Sequence, residues 1–175
     1  MTHSSFKVYI GIPAYNAANT LANVINRTDK HGFIEKIIVV NDRSTDNTGE
    51  VAKKFKNVIL INHKRNKGYG GAQKTIFKKF LEIAKNSEDI IILLHSDGQT
   101  LPEEIPILRN RFTDDAVNVV LGSRALGNMR KGNMPLYRIM GDHILTAIQN
   151  IGFGLKLSTY ASGYRGFRKR ALKKI

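Results

Sequence analysis

Along the first 122 positions, apolar residues recur in two alternating rhythms. Short apolar runs at Phe6–Ile12, Lys36–Val40, Val58–Ile61, Ile90–Leu94 and Val117–Leu121 predict strands. Between them, apolar positions spaced by three and four predict helices. Leu21, Val24 and Ile25 mark the first, with Asn19 as its candidate cap. Val51, Ala52 and Phe55 mark the second, opened by Asp46 or Thr48. The third spans Gly70–Lys85, with Ala72, Ile76, Phe77, Phe80 and Ala84 at helical spacing. The fourth runs Pro102–Phe112, with proline near its start. Strands separated by helices predict an α/β fold, a mostly parallel sheet flanked by helices on both faces.

After Ser123 the rhythm changes. Gly127–Gly132 reads as a loop. Pro135–Ile151 reads as a helix with Leu136, Ile139, Met140, Ile144 and Ile148 apolar, broken by Gly152 and Gly154. The ending ASGYRGFRKRALKKI is basic and interrupted by glycines. The expectation is one domain, 1–175, with a ligand-binding part over 1–122 and a basic part over 123–175.

Polar clusters fall at strand ends. PAYN follows the first strand, NDRSTDNT the second, NHKRNKGYGG the third and HSDGQ the fourth. In a parallel sheet the ligand crevice lies beyond the C-terminal ends of the strands. Turn chemistry alone accounts for one or two such clusters, not four in succession.

Charge sharpens this picture. The chain carries 28 Lys and Arg against 14 acids, a net +14. From Ser123 to Ile175 there are eleven Lys and Arg against Asp142 alone, +10 of that total. Such a stretch is either a solvated basic face or a surface for anions: phosphates, an anionic membrane or nucleic acid. No nucleic-acid reading motif accompanies it, so nucleic acid is the disfavoured partner. There is no cysteine, which excludes disulfides and thiolate metal sites. The N-terminus shows no secretory pattern, and no run approaches the roughly 20 apolar residues of a membrane span. A cytoplasmic location is expected, with peripheral contact at the cytoplasmic face of a membrane.

Asp97 stands just past the most apolar strand, in LLHSDGQ, with Gly98 permitting a tight turn. Hard cations such as Mg²⁺ or Mn²⁺ take oxygen ligands and often only one or two carboxylates, the rest coming from substrate phosphate and water. Gln99 can add a carbonyl oxygen. An Asp-Gly turn with no metal reads equally well from these residues alone. Asp42 follows KIIVVN and can accept hydrogen bonds from a nucleobase or ribose, whereas Asp46 and Thr48 read as structural caps. In NHKRNKGYGGAQK, glycines before a helix let backbone N–H groups approach phosphate. Gln73 stands where a dinucleotide fingerprint needs its third glycine, and no P-loop occurs. The five histidines have no H-x-x-x-H spacing, so no zinc site is expected. His95 either reaches a phosphate or packs.

Together these segments resemble the family-2 glycosyltransferases of the GT-A fold. IPAYN resembles the opening P-x-[YF]-N-E, with Ala17 in place of the acid. VVNDRSTDNT resembles the nucleotide-binding D-x-S-x-D-x-T element, and RNKGYGGA the N-x-G-x-G-x-A segment. LLHSDGQ is similar to the D-x-D-x-Q metal motif with His95 in the first acidic position. LGSR, at Leu121–Arg124, and SGYRGFRKRAL complete the order. Within the family, the resemblance is nearest to dolichol- and polyprenol-phosphate mannosyl- and glucosyltransferases.

The resemblance implies a UDP- or GDP-sugar donor, one Mg²⁺ or Mn²⁺ ion, inversion at the anomeric carbon and a polyprenyl-phosphate or related acceptor. It places the metal on Asp97 and Gln99. The nucleotide falls to Pro13, Ala14, Tyr15, Asn16, Asp42, Asn66, Gly68 and Gly71. Arg124 and Arg165, with Arg168 as a further candidate, would meet the diphosphate or an anionic acceptor. Where relatives often place an Asp before S-G-[FY]-R, this chain has Thr159. A phosphate acceptor arrives deprotonated and needs positive charge rather than a base, and Arg165, Arg168, Lys169 and Arg170 stand close by in sequence. The rival reading is a degenerate transferase that binds a nucleotide sugar or a membrane surface without turnover. A sugar-1-phosphate nucleotidyltransferase would need a basic, glycine-rich loop where IPAYNAAN stands.

Overall fold

The computed structural model describes residues 6–122, 136–154, 156 and 163–173, excluding the side chains of 136–139, 142, 143 and 153. The elements are β1 Val8–Ala14, α1 Ala18–Asp29, β2 Ile34–Asn41, α2 Thr48–Lys53, β3 Val58–Asn62, α3 Gly68–Ile83 and β4 Ile90–Leu93. A 3-10 turn, Pro102–Glu104, leads into α4 Ile105–Arg111, followed by β5 Val119–Leu121, α5 Leu136–Phe153, β6 Arg165–Arg168 and α6 Lys169–Leu172. The strands form one sheet in the order β3-β2-β1-β4-β6-β5. β1 pairs parallel with β2 and β4, and β2 parallel with β3.

Alternation along the strands explains why both sheet faces are covered. Tyr9, Ile38, Val40, Ile91 and Leu93 belong to one buried cluster with Ala72, Ile76 and Phe80 of α3. Their neighbours on the opposite face, Ile10, Ile12, Ile37, Val39, Ile90 and Ile92, are fully buried too. A strand buried on both faces needs the continuous apolar run seen in the sequence. Gly11 lets α3 approach β1: a Cβ there would lie 2.5 Å from Ile76 Cγ2 and 2.8 Å from Leu93 Cδ2.

Several expectations need correction. Asn19 lies inside α1 and caps nothing. The start of α1 is held from outside: Ala17 N–H donates to Thr48 Oγ1 at 2.8 Å and Ala18 N–H to Asp46 Oδ2 at 3.0 Å. Asp46 also accepts from Thr48 N–H at 3.0 Å, so its structural role serves two helices, while Asn47 occupies the N-cap position of α2. Gly152 sits within α5, and the chain leaves the helix at Gly154, with φ +64°.

The chain divides into two compact units, Met1–Val120 with Arg165–Ile175, and Leu121–Tyr164. The tail belongs to the first unit as β6 and α6, because RGFR pairs antiparallel with β4: Ile90 faces Arg168 and Leu93 faces Arg165. Four residues with two arginines carry no strand-like apolar run, so this strand was not expected. In the second unit, α5 exposes Met140, Ile144, Leu145, Ile148 and Ile151. No helix among the described residues is long and apolar enough to cross a membrane.

Candidate functional site

β1, β2, β3 and β4 run parallel, so their C-terminal ends share one edge of the sheet. Antiparallel β6 begins at that same edge, which sets Arg165 opposite Leu93. The four polar clusters of the sequence and Arg165 therefore meet along one line.

The loops on this edge are tied to each other. Pro13 and Ala14 are buried at the end of β1, and Ala14 O accepts Asp42 N–H at 2.8 Å. Tyr15 is exposed. Asn16 adopts φ +49°, and its N–H donates to Ser44 Oγ at 3.0 Å while its Oδ1 accepts Thr45 N–H at 2.8 Å. Arg43 also has positive φ, +62°, and donates from Nη1 to Lys64 O at 2.5 Å. Such conformations cost about 1–3 kcal/mol each and persist where surrounding contacts over-determine them. Of the four PAYN residues, the first two shape backbone, Asn16 ties two loops, and Tyr15 presents a ring to solvent.

Asp42 is almost fully buried. Oδ1 accepts from His63 Nδ1 at 2.6 Å, and Lys67 N–H reaches Oδ1 at 2.9 Å and Oδ2 at 3.1 Å. Burial pushes its carboxyl pKa up, but the His63 and Lys67 hydrogen bonds outweigh that and hold it below the ordinary 3.8. The buried charge is thus kept rather than neutralised. His63, which carried no role in the sequence reading, is itself buried and extends from Nε2 to Thr75 Oγ1 at 2.8 Å.

The glycine segment forms the start of α3. Asn66 Oδ1 accepts Gly68 N–H at 2.9 Å, and Gly68 takes φ +71°. Gly71 has no room for a Cβ beside Lys67 Cβ. Tyr69 stands half-exposed among these glycines. Its ring stacks on His95, with centroids 5.4 Å apart and planes 16° apart. Its hydroxyl pKa is raised, chiefly by burial and further by Asp97, against the opposing pull of Arg165 and a Gln73 hydrogen bond. Tyr69 therefore lies within electrostatic reach of both Asp97 and Arg165. Only the glycines on either side drew attention in the sequence; an aromatic in the first turn of a glycine-started helix was the signal to follow. Of the two readings of His95, the packing one is what the ring stack displays.

Asp97 is exposed in the turn after β4, and its Oδ1 accepts Gln99 N–H at 2.9 Å. Gly98, at φ +77°, makes the turn. The turn is anchored from both sides: Thr20 Oγ1 donates to Ser96 O at 2.6 Å, and His95 N–H donates to Thr100 Oγ1 at 2.9 Å. Among the described residues no group of three or more His, Cys, Asp or Glu could enclose a metal ion. One exposed carboxylate with a neighbouring amide is a donor set for a hard cation that draws its remaining ligands from phosphate oxygens and water. Asp97 and Gln99 fit a cation of that kind, bound together with substrate.

The basic residues separate sharply. Arg165 is at the site edge. Arg168, expected at a phosphate, is fully buried at the other end of β6 and is no phosphate ligand. It donates to Val117 O at 2.6 Å, Phe112 O at 2.6 Å, Asp114 O at 2.9 Å and Glu88 Oε2 at 2.8 Å. Strand direction is the reason: antiparallel β6 starts at the site edge, so Arg168, three residues on, lies about 10 Å along the strand at the other end. Lys169 is buried with Nζ on Ala84 O, and Arg170 is taken by Glu88, Asn118 and Asp115 O. Neither is left to position a phosphate. Arg124 and Thr159 lie outside the described residues.

A profile of glycosyl transferase family 2 matches residues 9–175. A UDP-N-acetylglucosamine–dolichyl-phosphate N-acetylglucosaminyltransferase of Methanococcus voltae is 34% identical over 182 residues, covering 95% of this chain and 71% of its own. An undecaprenyl-phosphate mannosyltransferase of Micrococcus luteus is 28% identical over 168 residues, covering 94% of this chain and 67% of its own. Among solved structures, a mannosyltransferase from Pyrobaculum calidifontis in complex with GDP-Man and Mn²⁺ superposes with a TM-score of 0.68 at 13% identity, over 98% of this chain and 47% of that one. Glucosyl-3-phosphoglycerate synthase from Mycobacterium tuberculosis, in complex with Mn²⁺, UDP and phosphoglyceric acid, gives 0.67 at 17% identity, over 95% of this chain and 57% of that one. The chain thus spans about half to three-fifths of these solved structures, and the likeness establishes the GT-A fold.

Proposed function

The chain belongs to glycosyl transferase family 2, and we propose that it moves a sugar from a UDP- or GDP-sugar to a polyprenyl phosphate, assisted by Mg²⁺ or Mn²⁺. The observation that carries this reading is the edge at which an exposed Asp97 turn, Tyr69 and Arg165 come together beside a buried, charged Asp42.

In this reading the nucleoside lies against Tyr15 and the Asp42 loop, and the diphosphate against the Gly68–Gly71 start of α3. Backbone N–H groups at that helix start stabilise negative charge. Asp97 and Gln99 hold the cation, which when bound offsets charge gathering on the leaving diphosphate. The acceptor oxygen forms a bond to the anomeric carbon as the bond from that carbon to the β-phosphate oxygen breaks. The nucleoside diphosphate leaves with the electron pair. In this reading Arg165, which begins β6 at the same edge, meets phosphate oxygens, with Arg124 as the further candidate. A phosphate monoester has a second pKa of about 6, so it arrives largely deprotonated at neutral pH and calls for positive charge rather than a base. Thr159 in place of a carboxylate agrees with such an acceptor.

The lipid acceptor also gives α5 a role. Its exposed Met140, Ile144, Leu145, Ile148 and Ile151, with the basic sequence around them, suit the surface of an anionic membrane. Cosedimentation with anionic but not neutral vesicles, weakening with salt, is the expected behaviour.

The deciding experiment has two stages. A thermal-shift panel of UDP- and GDP-sugars with Mn²⁺ or Mg²⁺ should single out one nucleotide, since ligand binding to the native state raises its stability. The labelled donor is then offered with a polyprenyl phosphate and, separately, with neutral glycans. Transfer to the lipid phosphate is expected. Transfer only to a hydroxyl overturns the acceptor assignment, and donor binding without any transfer favours the degenerate binding protein.

A further inference from the structure

Two of the groups the proposed mechanism uses, Asp42 and the glycine start of α3, are joined by hydrogen bonds through one residue it does not use. His63 follows β3 directly and is buried. An ionised carboxylate only accepts hydrogen bonds, so the 2.6 Å contact to Asp42 Oδ1 requires a proton on Nδ1. The other ring nitrogen lies 2.8 Å from Thr75 Oγ1, two turns into α3, and the same hydroxyl lies 3.1 Å from Gly71 O, so its one proton is shared between Nε2 and the glycine carbonyl. One imidazole therefore spans from the end of β2 to the glycine start of α3.

The backbone closes the same circuit. His63 N–H donates to Asn41 O at 2.9 Å, beside Asp42 in sequence. Lys67 N–H, at the far end of the loop, returns to both Asp42 oxygens. Residues 63–67 thus wrap around the Asp42 carboxylate, with His63 as the side-chain donor. Without the imidazole, a nearly fully buried carboxylate would keep only the Lys67 amide among these donors, and the hydrogen-bonded link from Asp42 to Thr75 of α3 would be lost.

We propose that His63 is a positioning residue that holds Asp42 and the Gly68–Gly71 turn in one fixed relation, so that the nucleoside and diphosphate ends of the donor are gripped as a unit. The inference rests on the donor-site reading given above. His63 touches neither donor nor acceptor; it acts through Asp42 and Thr75. A simple loop staple would contribute stability alone, whereas a positioning residue sets affinity for the nucleoside diphosphate.

Two conservative variants separate these roles. The amide of His63→Asn can place a donor where Nδ1 stands and so serve Asp42. The longer amide of His63→Gln reaches where Nε2 stands and serves Thr75 instead. Binding of UDP and GDP with Mn²⁺ is measured by calorimetry for the wild type, His63→Ala, His63→Asn and His63→Gln, with melting temperatures alongside. His63→Ala should bind the preferred nucleoside diphosphate about tenfold more weakly. His63→Asn should recover most of that loss, His63→Gln less, and this order should not follow the melting temperatures. If His63→Ala fails to fold, the order of Asn over Gln decides.

Wild-type affinity in His63→Ala, or Gln matching or exceeding Asn, overturns the proposal while leaving the donor site standing. Affinity that falls only in step with melting temperature also overturns it, as the mark of a staple. A wild type that binds neither UDP nor GDP overturns the donor-site reading itself, and the role of His63 falls with it.

Discussion

The two ends of the central strands use charge in opposite ways. At the N-terminal end of β4, buried charges are saturated by the protein itself. Asp89 accepts from the N–H groups of Lys7, Lys85 and Asn86, and Arg168 donates to three backbone carbonyls and Glu88. At the C-terminal end, Asp97 is exposed and accepts the Gln99 N–H of its own turn, Tyr69 is half-exposed, and Arg165 begins β6 nearby. Arg165 and Arg168 are three residues apart on one short strand, yet lie at these opposite ends. A basic run therefore does not amount to an anion site until the direction of its strand is known. Asp42 stands between the regimes: it lies on the open edge but is buried and paired like the charges of the closed one.

The largest effect should come from the closed end. Arg168→Met removes the donor to Val117, Phe112 and Asp114 carbonyls while Arg170 stays with Glu88. Removing one partner of a buried, hydrogen-bonded pair costs about 3–5 kcal/mol. Urea unfolding should display a loss of that order. A change below about 1 kcal/mol would mean the network contributes little beyond packing, as some buried ion pairs do.

The second effect should appear at the open end and leave stability alone. Asp97→Asn retains shape and loses the charge proposed to hold the cation. Transfer should fall by about 100-fold or more, and stabilisation by nucleoside diphosphate should lose its metal dependence. The urea midpoint without ligand should shift by less than about 0.5 kcal/mol equivalent, since an exposed side chain is involved. Metal-dependent stabilisation equal to wild type would remove Asp97 from the metal site.

A third, smaller effect probes how the open edge is held together. Asp46 accepts from Ala18 and Thr48 N–H groups, so it supplies two helix starts at once. Asp46→Ala should cost about 1–2 kcal/mol, the range of a lost helix cap. Hydrogen exchange at Ala18 and Thr48 should speed up together. Faster exchange at Thr48 alone would mean α1 is held by Thr48 rather than Asp46.

Much of this architecture was legible from periodicity. Runs such as IIILL and KIIVV can be buried on both faces only as central strands, and Ala72, Ile76 and Phe80 share one face of a helix by spacing alone. The strand-end rule then placed the clusters around Asp42, Gly68 and Asp97 on one edge. What stayed hidden was non-local. RGFR becomes a strand because β4 offers it a pairing edge, and nothing in four residues with two arginines announces that. The capping of α1 by Asp46, 28 residues away, likewise looks like a local cap for α2. Asn19 was the nearest capping residue in sequence, and proximity in sequence misled. His63 was passed over because a lone histidine carries no pattern until Asp42 and Thr75 are seen on either side of it.

The smallest effect tests the intermediate status of Asp42 through pH. Its carboxyl is held below the ordinary 3.8 despite burial, because His63 and Lys67 donate to its charged form. A depressed pKa in the folded state means that the unfolded chain takes up the proton first as pH falls. The contribution to stability is therefore complete above the unfolded value and is lost as pH drops below 3.8 toward the folded value. Glu103, lowered to about 2 chiefly by its hydrogen bond to Arg27, and Asp46 titrate in the same direction, so the wild-type curve alone does not isolate Asp42. Subtracting the curve of Asp42→Asn does, because those groups are common to both proteins. The expected result is a stability difference that is constant above about pH 5 and shrinks as pH falls through the acid range. A difference that stays flat into acid would mean that Asp42 gains nothing from its charge when folded. It would then belong with neither regime, and His63 would be holding it as a neutral acid.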